Sequence, residues 1–174
     1  MKNMAGGSVR QGGWAMMETL IALIIGLVVL AGAFILVQQS FSGNNVSQTR
    51  EELMTISTNI KRLFTQQSNY AGLDSEIAAK ARVVPESMIQ DQDSGDIRNV
   101  WGGTVEFGTD NSALEYTITY NDVPQEACIE LATYDRGEWV NISAEGTDVN
   151  YNDVGGATTA CSGLDGNEMI FTGK

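Results

Sequence analysis

Gln11-Gly12-Gly13-Trp14-Ala15-Met16-Met17-Glu18-Thr19 leads directly into Leu20-Ile21-Ala22-Leu23-Ile24-Ile25-Gly26-Leu27-Val28-Val29-Leu30-Ala31-Gly32-Ala33-Phe34-Ile35-Leu36-Val37. From Leu20 to Val37 no side chain carries a charge. As a helix rising about 1.5 Å per residue, this run is about 27 Å long, close to the ~30 Å hydrocarbon core of a bilayer. A helix that is apolar on every side must be covered by lipid or by other helices. After Val37 no comparable run recurs, and the rest of the chain has the composition of a secreted acidic domain.

Three origins compete for residues 1–37. Lys2 and Arg10 supply the basic region of a secretory signal peptide and Ala31-Gly32-Ala33 its small-residue cleavage site. Against this, Glu18 stands at the threshold of the apolar run, and Phe34 to Val37 continue that run past the cut. A plain single-span anchor would be oriented by the same two cations. It leaves Glu18 without a purpose, although a carboxylate in a spanning segment is costly and generally marks a functional partner.

The third origin uses every unusual residue. A basic leader ending in Gly13, a bulky Trp14, Glu18 four residues later and then an unbroken apolar helix together resemble the processing site of type IV prepilins. Trp in place of Phe at the new N-terminus resembles the type IVb subclass; the 13-residue leader is intermediate in length. The resemblance implies cleavage between Gly13 and Trp14 by a prepilin peptidase, with the Trp14 amine then N-methylated. It also implies that the helix is held in the bacterial inner membrane before it enters the core of an extracellular filament. Of the 10 basic residues, Lys2 and Arg10 leave with the leader, so 8 remain against 22 acidic ones, a net charge of −14. The spacing lets the Glu18 carboxylate reach an ammonium one helical turn away, on its own chain or on the next subunit of a stack. In a low dielectric an unpaired carboxylate is penalised, so pairing between chains would set register.

Composition narrows the chemistry. The 174 residues hold 22 Asp+Glu against 10 Lys+Arg, a net charge of −12, with no basic cluster for phosphate contacts, so nucleic acid is not an expected partner. Histidine is absent and cysteine occurs twice, which excludes His-based triads, His-ligated metals and CxxC sites. No cofactor is expected and no enzyme.

Beyond Val37, Leu53, Ile56, Ile60, Leu63 and Phe64 recur at helical spacing, with Glu51, Glu52, Lys61 and Arg62 largely off that face. This predicts one helix from Trp14 to about Gln67, roughly 80 Å if straight. Gly26, Gly32 and Gly43 are its candidate bending points, since no proline occurs between Trp14 and Arg82. Asp74 is a fitting N-cap for a short helix to about Arg82, which Pro85 keeps from continuing. Thr104–Phe107 and Ala113–Tyr120 read as an antiparallel hairpin with Leu114, Tyr116, Ile118 and Tyr120 alternating inward. Pro124 to about Tyr134 reads as a helix, and Trp139–Ala144 and Glu168–Thr172 as further strands. The fold class is α+β: a long N-terminal helix whose C-terminal half packs on a small antiparallel sheet. The expected divisions are a leader at 1–13, a membrane or filament-core segment at 14–43, and a head at 44–174.

Cys128 and Cys161, the only cysteines, lie in a head exported to an oxidising compartment and are expected to be bridged. The segment between them is rich in turn formers (Arg136-Gly137, Glu145-Gly146, Asn152-Asp153, Gly155-Gly156) and lacks the apolar periodicity to order itself. In pilins this is the variable region of subunit contacts and outer surface. The stretch from Tyr70-Ala71-Gly72-Leu73 through Val84-Pro85 to Trp101-Gly102-Gly103 is also similar to type IVb head sequences. Asp91 to Asp96 imitates a calcium loop, but Gly102 stands where the bidentate Glu would be, so a solvated acidic loop is expected. Tyr116, Tyr120 and Trp139 are expected in the core, and Glu51-Glu52 adjoin no base.

The leading function is therefore a structural subunit, with itself as chief partner in a helical homopolymer. The resemblance adds a prepilin peptidase, an assembly platform and its ATPase, and a host-cell or recipient-cell surface ligand. A minor pilin or secretion-system pseudopilin is the alternative within the class, and a membrane-anchored or secreted adhesin the alternative outside it.

Overall fold

The computed structural model describes residues 12–134, 137–163 and 166–174, with side chains for all of these except 12–16 and 28–42. The expected leader residues 1–11 and the Arg136 turn position lie outside the described residues. The chain divides into two compact units, one up to Phe41 and one from Ser42 to Lys174.

Helix α1 runs from Gly12 to Leu63. It stops about a turn before the expected Gln67, because Phe64 turns into the core, 7% exposed, and lies 5.5 Å from the Tyr70 ring. The Thr65 and Gln67 amides donate to the Arg62 and Phe64 carbonyls, tightening the exit. In the second unit the buried face of α1 is Val46, Leu53, Ile56, Ile60 and Phe64. Leu63, expected on that face, is 43% exposed. Glu52, expected off it, is buried.

Helix α2, Ser75–Lys80, starts where Asp74 Oδ1 accepts the Ile77 amide at 2.7 Å and buries Ala78 and Ala79. A 3-10 turn over Glu86–Met88 follows Pro85. The sequence did not suggest the next element, a small ladder of β1 (Ile89–Asp91) and β2 (Asp96–Ile97). The main elements then follow in order: β3 (Val105–Thr109), β4 (Tyr116–Val123), α3 (Gln125–Ala132), β5 (Trp139–Ala144), β6 (Thr147–Asp148), α4 (Val154–Ala160) and β7 (Asn167–Gly173).

The five-stranded sheet has the order β3-β4-β7-β5-β6, with every pairing antiparallel. Ile118 of β4 and Ile142 of β5 both register with Phe171 of the central β7. Strand alternation sends Val105, Phe107, Tyr116, Ile118, Tyr120, Ile142, Ala144, Met169 and Phe171 into the core, one contiguous cluster with the buried face of α1. Leu114, expected to begin the inward alternation, sits 52% exposed in the turn before β4, whose first residue is Tyr116. Helix α4 contradicts the expectation that the bridged segment lacks order of its own. Asp153 caps it by accepting the Gly156 amide at 2.9 Å, and Ala157 and Ala160 are buried.

Candidate functional site

Glu18 is the only ionisable side chain in the described part of α1 before Arg50. It is exposed, and it lines a shallow apolar groove with Met17, Ile21, Ala22 and Ile25. Met17, Leu20, Ile21, Leu23, Ile24, Ile25 and Leu27 are each between 53% and 67% exposed. So large an uncovered apolar surface marks a site of association with lipid or protein. Trp14 lies four residues before Glu18 in the same helix, about one turn away along the backbone. Among the described residues no helix segment is long and apolar enough to cross a membrane.

The other half of α1 is fixed to the head by polar contacts flanking its apolar face. Ser57 Oγ and Tyr116 Oη share a hydrogen bond of 2.8 Å, and Ser57 also donates to Glu138 Oε2 at 2.9 Å. Lys61 Nζ reaches the same carboxylate oxygen at 3.0 Å. The Lys61 hydrogen bond, with the Ser57 bond and the Lys61 charge, holds the Glu138 carboxyl below the usual carboxylate range. Burial pushes the Tyr116 phenol up to about 12, so it remains a neutral hydrogen-bonding group. On the same side of α1, about two turns before Ser57, Arg50 donates to Glu130 of α3 at 3.0 Å, and its guanidinium stacks 4.2 Å from the centre of the Tyr134 ring.

The aromatic rings make a continuous path. Phe64 meets Tyr70, Tyr70 meets Tyr116 at 5.0 Å, Tyr116 meets Trp139, Trp139 meets Phe171 at 5.4 Å, and Phe171 meets Tyr120. Tyr116 and Tyr120 are fully buried and Trp139 packs against the core, the place expected for all three.

Cys128 of α3 and Cys161, directly after α4, form a disulfide with Cα atoms 5.9 Å apart, and both residues are fully buried. Gln125 Nε2 donates to the Cys161 carbonyl at 2.8 Å. Asn167 accepts the Gly163 amide and donates to the Val123 and Gly163 carbonyls, which ties the chain leaving the bridge to both β4 and β7.

In the acidic loop, Asp91 Oδ1 accepts the Asp93 amide at 2.9 Å. That bond, with those from Ser94, lowers the Asp91 carboxyl from its ordinary value. The carboxylate closes the turn between β1 and β2, and among the described residues no group of three acidic, His or Cys side chains could hold a metal ion.

An antiparallel sheet packed on the C-terminal half of a long helix, with a disulfide bridging its last two helices, defines a type IV pilin of the IVb kind. TcpA, a type IV pilin from Vibrio cholerae El Tor biotype, superposes with a TM-score of 0.53 over 75% of this chain and 99% of its own, at 12% identity. The two share a fold. The sequence model of the family described as PilS N terminal matches residues 43–174, and the chain belongs to this family. Two proteins described as the major structural subunit of bundle-forming pilus, from Escherichia coli O111:H- and O127:H6, are each 29% identical to it over 140 residues, covering 76% of this chain and 72% of theirs. The chain is a pilus subunit and not an enzyme.

Proposed function

We propose that this chain is the major subunit of a type IVb pilus, cleaved between Gly13 and Trp14 by a prepilin peptidase and polymerised through the Glu18 end of α1. The observation that carries it is the exposed apolar surface from Met17 to Leu27, in which Glu18 is the sole charge. Residues 1–13 then form the leader, 14–43 the segment held first by the inner membrane and later by the filament core, and 44–174 the head. Moving that segment from lipid to a helix bundle changes hydrophobicity little, so packing and charge pairing decide register. A Glu18 carboxylate beside the Trp14 ammonium of a neighbouring subunit supplies that pairing. An assembly platform and an ATPase drive extraction, since the chain contains no P-loop of its own. The filament reaches the extracellular space, where it serves adhesion, aggregation or conjugative mating through a surface ligand on a host or recipient cell.

N-terminal sequencing of sheared filaments tests the processing step. It should begin at a methylated Trp14, whereas a start at Phe34 or an intact Met1 refutes cleavage after Gly13. A Glu18→Ala chain should be processed normally yet yield no filaments; filaments at the parental level would remove Glu18 from assembly. Recovery of this chain as the dominant band in sheared material distinguishes a major from a minor subunit.

A further inference from the structure

The buried polar and charged side chains among the described residues are Thr49, Glu52, Ser57, Asn99 and Asn167. Three are satisfied. Ser57 bonds Tyr116 and Glu138, Asn99 bonds the Asn121 carbonyl and the Trp101 and Gly103 amides, and Asn167 bonds the Val123 and Gly163 carbonyls and the Gly163 amide. Thr49 Oγ1 and Glu52 Oε2 are buried without a hydrogen-bond partner, and so is Tyr120 Oη. Thr49 and Glu52 are three residues apart on α1 and therefore neighbours on one side of it. Tyr120 stands on the inward face of β4 and is completely buried.

Tyr120 lies within electrostatic reach of Glu52: burial raises its phenol well above the ordinary value, and the Glu52 charge raises it further. No cation offsets that charge among the groups acting on Glu52. Of the basic residues on this half of α1, Arg50 is engaged with Glu130 of α3 through its terminal nitrogen, its Nε being buried without a partner, Lys61 is engaged with Glu138, and Arg62 is exposed. Glu51, on the same turn, is exposed. The Gln48 amide donates to Oε1 at 2.8 Å, which leaves Oε2 bare. Burial raises the Glu52 carboxyl above its ordinary value, and the Gln48 bond offsets only part of this. A desolvated, uncompensated carboxylate is relieved most cheaply by binding a proton.

We propose that Glu52, buried with an unpartnered Oε2 on the side of α1 that carries Thr49, is a proton-binding site in the head, so that the head holds its helix more tightly when the carboxyl is neutral. One solvent proton adds to Oε2, and Tyr120 keeps its own. The folded-state value lies above the unfolded one. The stabilisation is therefore fully present below the ordinary carboxylate range and is lost as pH rises through the raised value. Asp91, Asp110 and Glu138 are shifted downward instead, so their contributions change at lower pH and do not overlap this window.

The test is the thermal unfolding midpoint of the full chain in neutral detergent, measured from pH 4.5, the ordinary carboxyl value, to pH 8 for the parent, Glu52→Gln and Tyr120→Phe. The parent midpoint should fall as pH rises. Glu52→Gln should be flat across the interval and exceed the parent at pH 8, and Tyr120→Phe should keep the parental slope. Equal slopes for parent and Glu52→Gln, or a slope lost only in Tyr120→Phe, would overturn the proposal. Should Glu52→Gln not fold, carbon-13 titration of the parent's Glu52 carboxyl decides the matter. A midpoint above the ordinary glutamate range supports the site and one within that range refutes it.

Discussion

Opening the Cys128–Cys161 bridge is the perturbation whose cost follows most directly from the fold. The bond spans a sequence separation of 33 and closes a loop that contains β5, β6 and α4. In the chain-entropy account, a loop of this size removes about 12.5 cal/mol/K from the unfolded ensemble, about 3.7 kcal/mol at 25 °C. The unit from Ser42 to Lys174 unfolds with about 0.28 kcal/mol/K at ~2.1 cal/mol/K per residue, so the loss corresponds to a midpoint lowered by about 13 °C. Urea unfolding of the full chain in detergent measures it, comparing the parent, the parent in reductant, and Cys128→Ala combined with Cys161→Ala. The reduced parent keeps both sulfur atoms in the core and isolates the cross-link, while the double variant adds a small packing loss at two fully buried positions. Because the cross-link acts on the unfolded chain, the urea dependence should steepen when it opens, as more surface is exposed. Amide exchange should accelerate first across Val154–Ala160, a helix of poor intrinsic formers fastened at its C-terminal end by Cys161. A loss below about 1 kcal/mol with an unchanged urea slope would refute the reasoning. It would mean that pairing of β5 with β7 already confines the loop in the unfolded ensemble.

Two further substitutions probe local geometry. Gly95 and Gly146 both have φ of +70°, but a Cβ at Gly146 meets open space whereas one at Gly95 falls 2.6 Å from the backbone nitrogen of Glu76. Gly146→Ala should cost about 1–2 kcal/mol for the left-handed backbone alone, and Gly95→Ala a further 1–3 kcal/mol because backbone must move, both read from chemical denaturation. Asp74→Ala removes the oxygen that accepts the Ile77 amide and should cost about 1 kcal/mol with faster exchange at Ile77; no loss would mean that water replaces the cap.

The elements that were legible in the sequence were those whose signal is periodic or punctuated. The 3.6-residue recurrence of Leu53, Ile56 and Ile60, the alternation from Tyr116 to Tyr120, and the Asp74 and Pro124 starts all correspond to observed elements. What escaped notice was built by tertiary contact. Helix α4, Val-Gly-Gly-Ala-Thr-Thr-Ala, has almost no intrinsic preference for its state. The signals that could have found it were the Asp153 cap and a cysteine directly beyond its end. The ladder of β1 and β2 is two or three residues per strand, too short for alternation to register, and its turn carried acidic residues that imitated a cation loop. Glu52, expected largely off the apolar face, lies one turn before Ile56 on its flank and is buried there. Burial of an unpaired charge is the local inconsistency that a folded sequence tolerates at few places.

Strand β7 occupies the middle of the sheet, although it follows every other strand in the chain. Without Asn167–Gly173, the β3-β4 hairpin and the β5-β6 hairpin share no hydrogen-bonded edge. The sheet therefore cannot close until its last strand is present, and without β7 the facing edges of β4 and β5 stay open. Closure is a late, long-range event, slower than helix formation and exposed to mispairing with other chains. Cys128 and Cys161 both precede β7 in the chain. The bridge needs nothing from β7, so it can tie α3 to the end of α4 while the edges of β4 and β5 are still unpaired, and it braces the closed sheet afterwards.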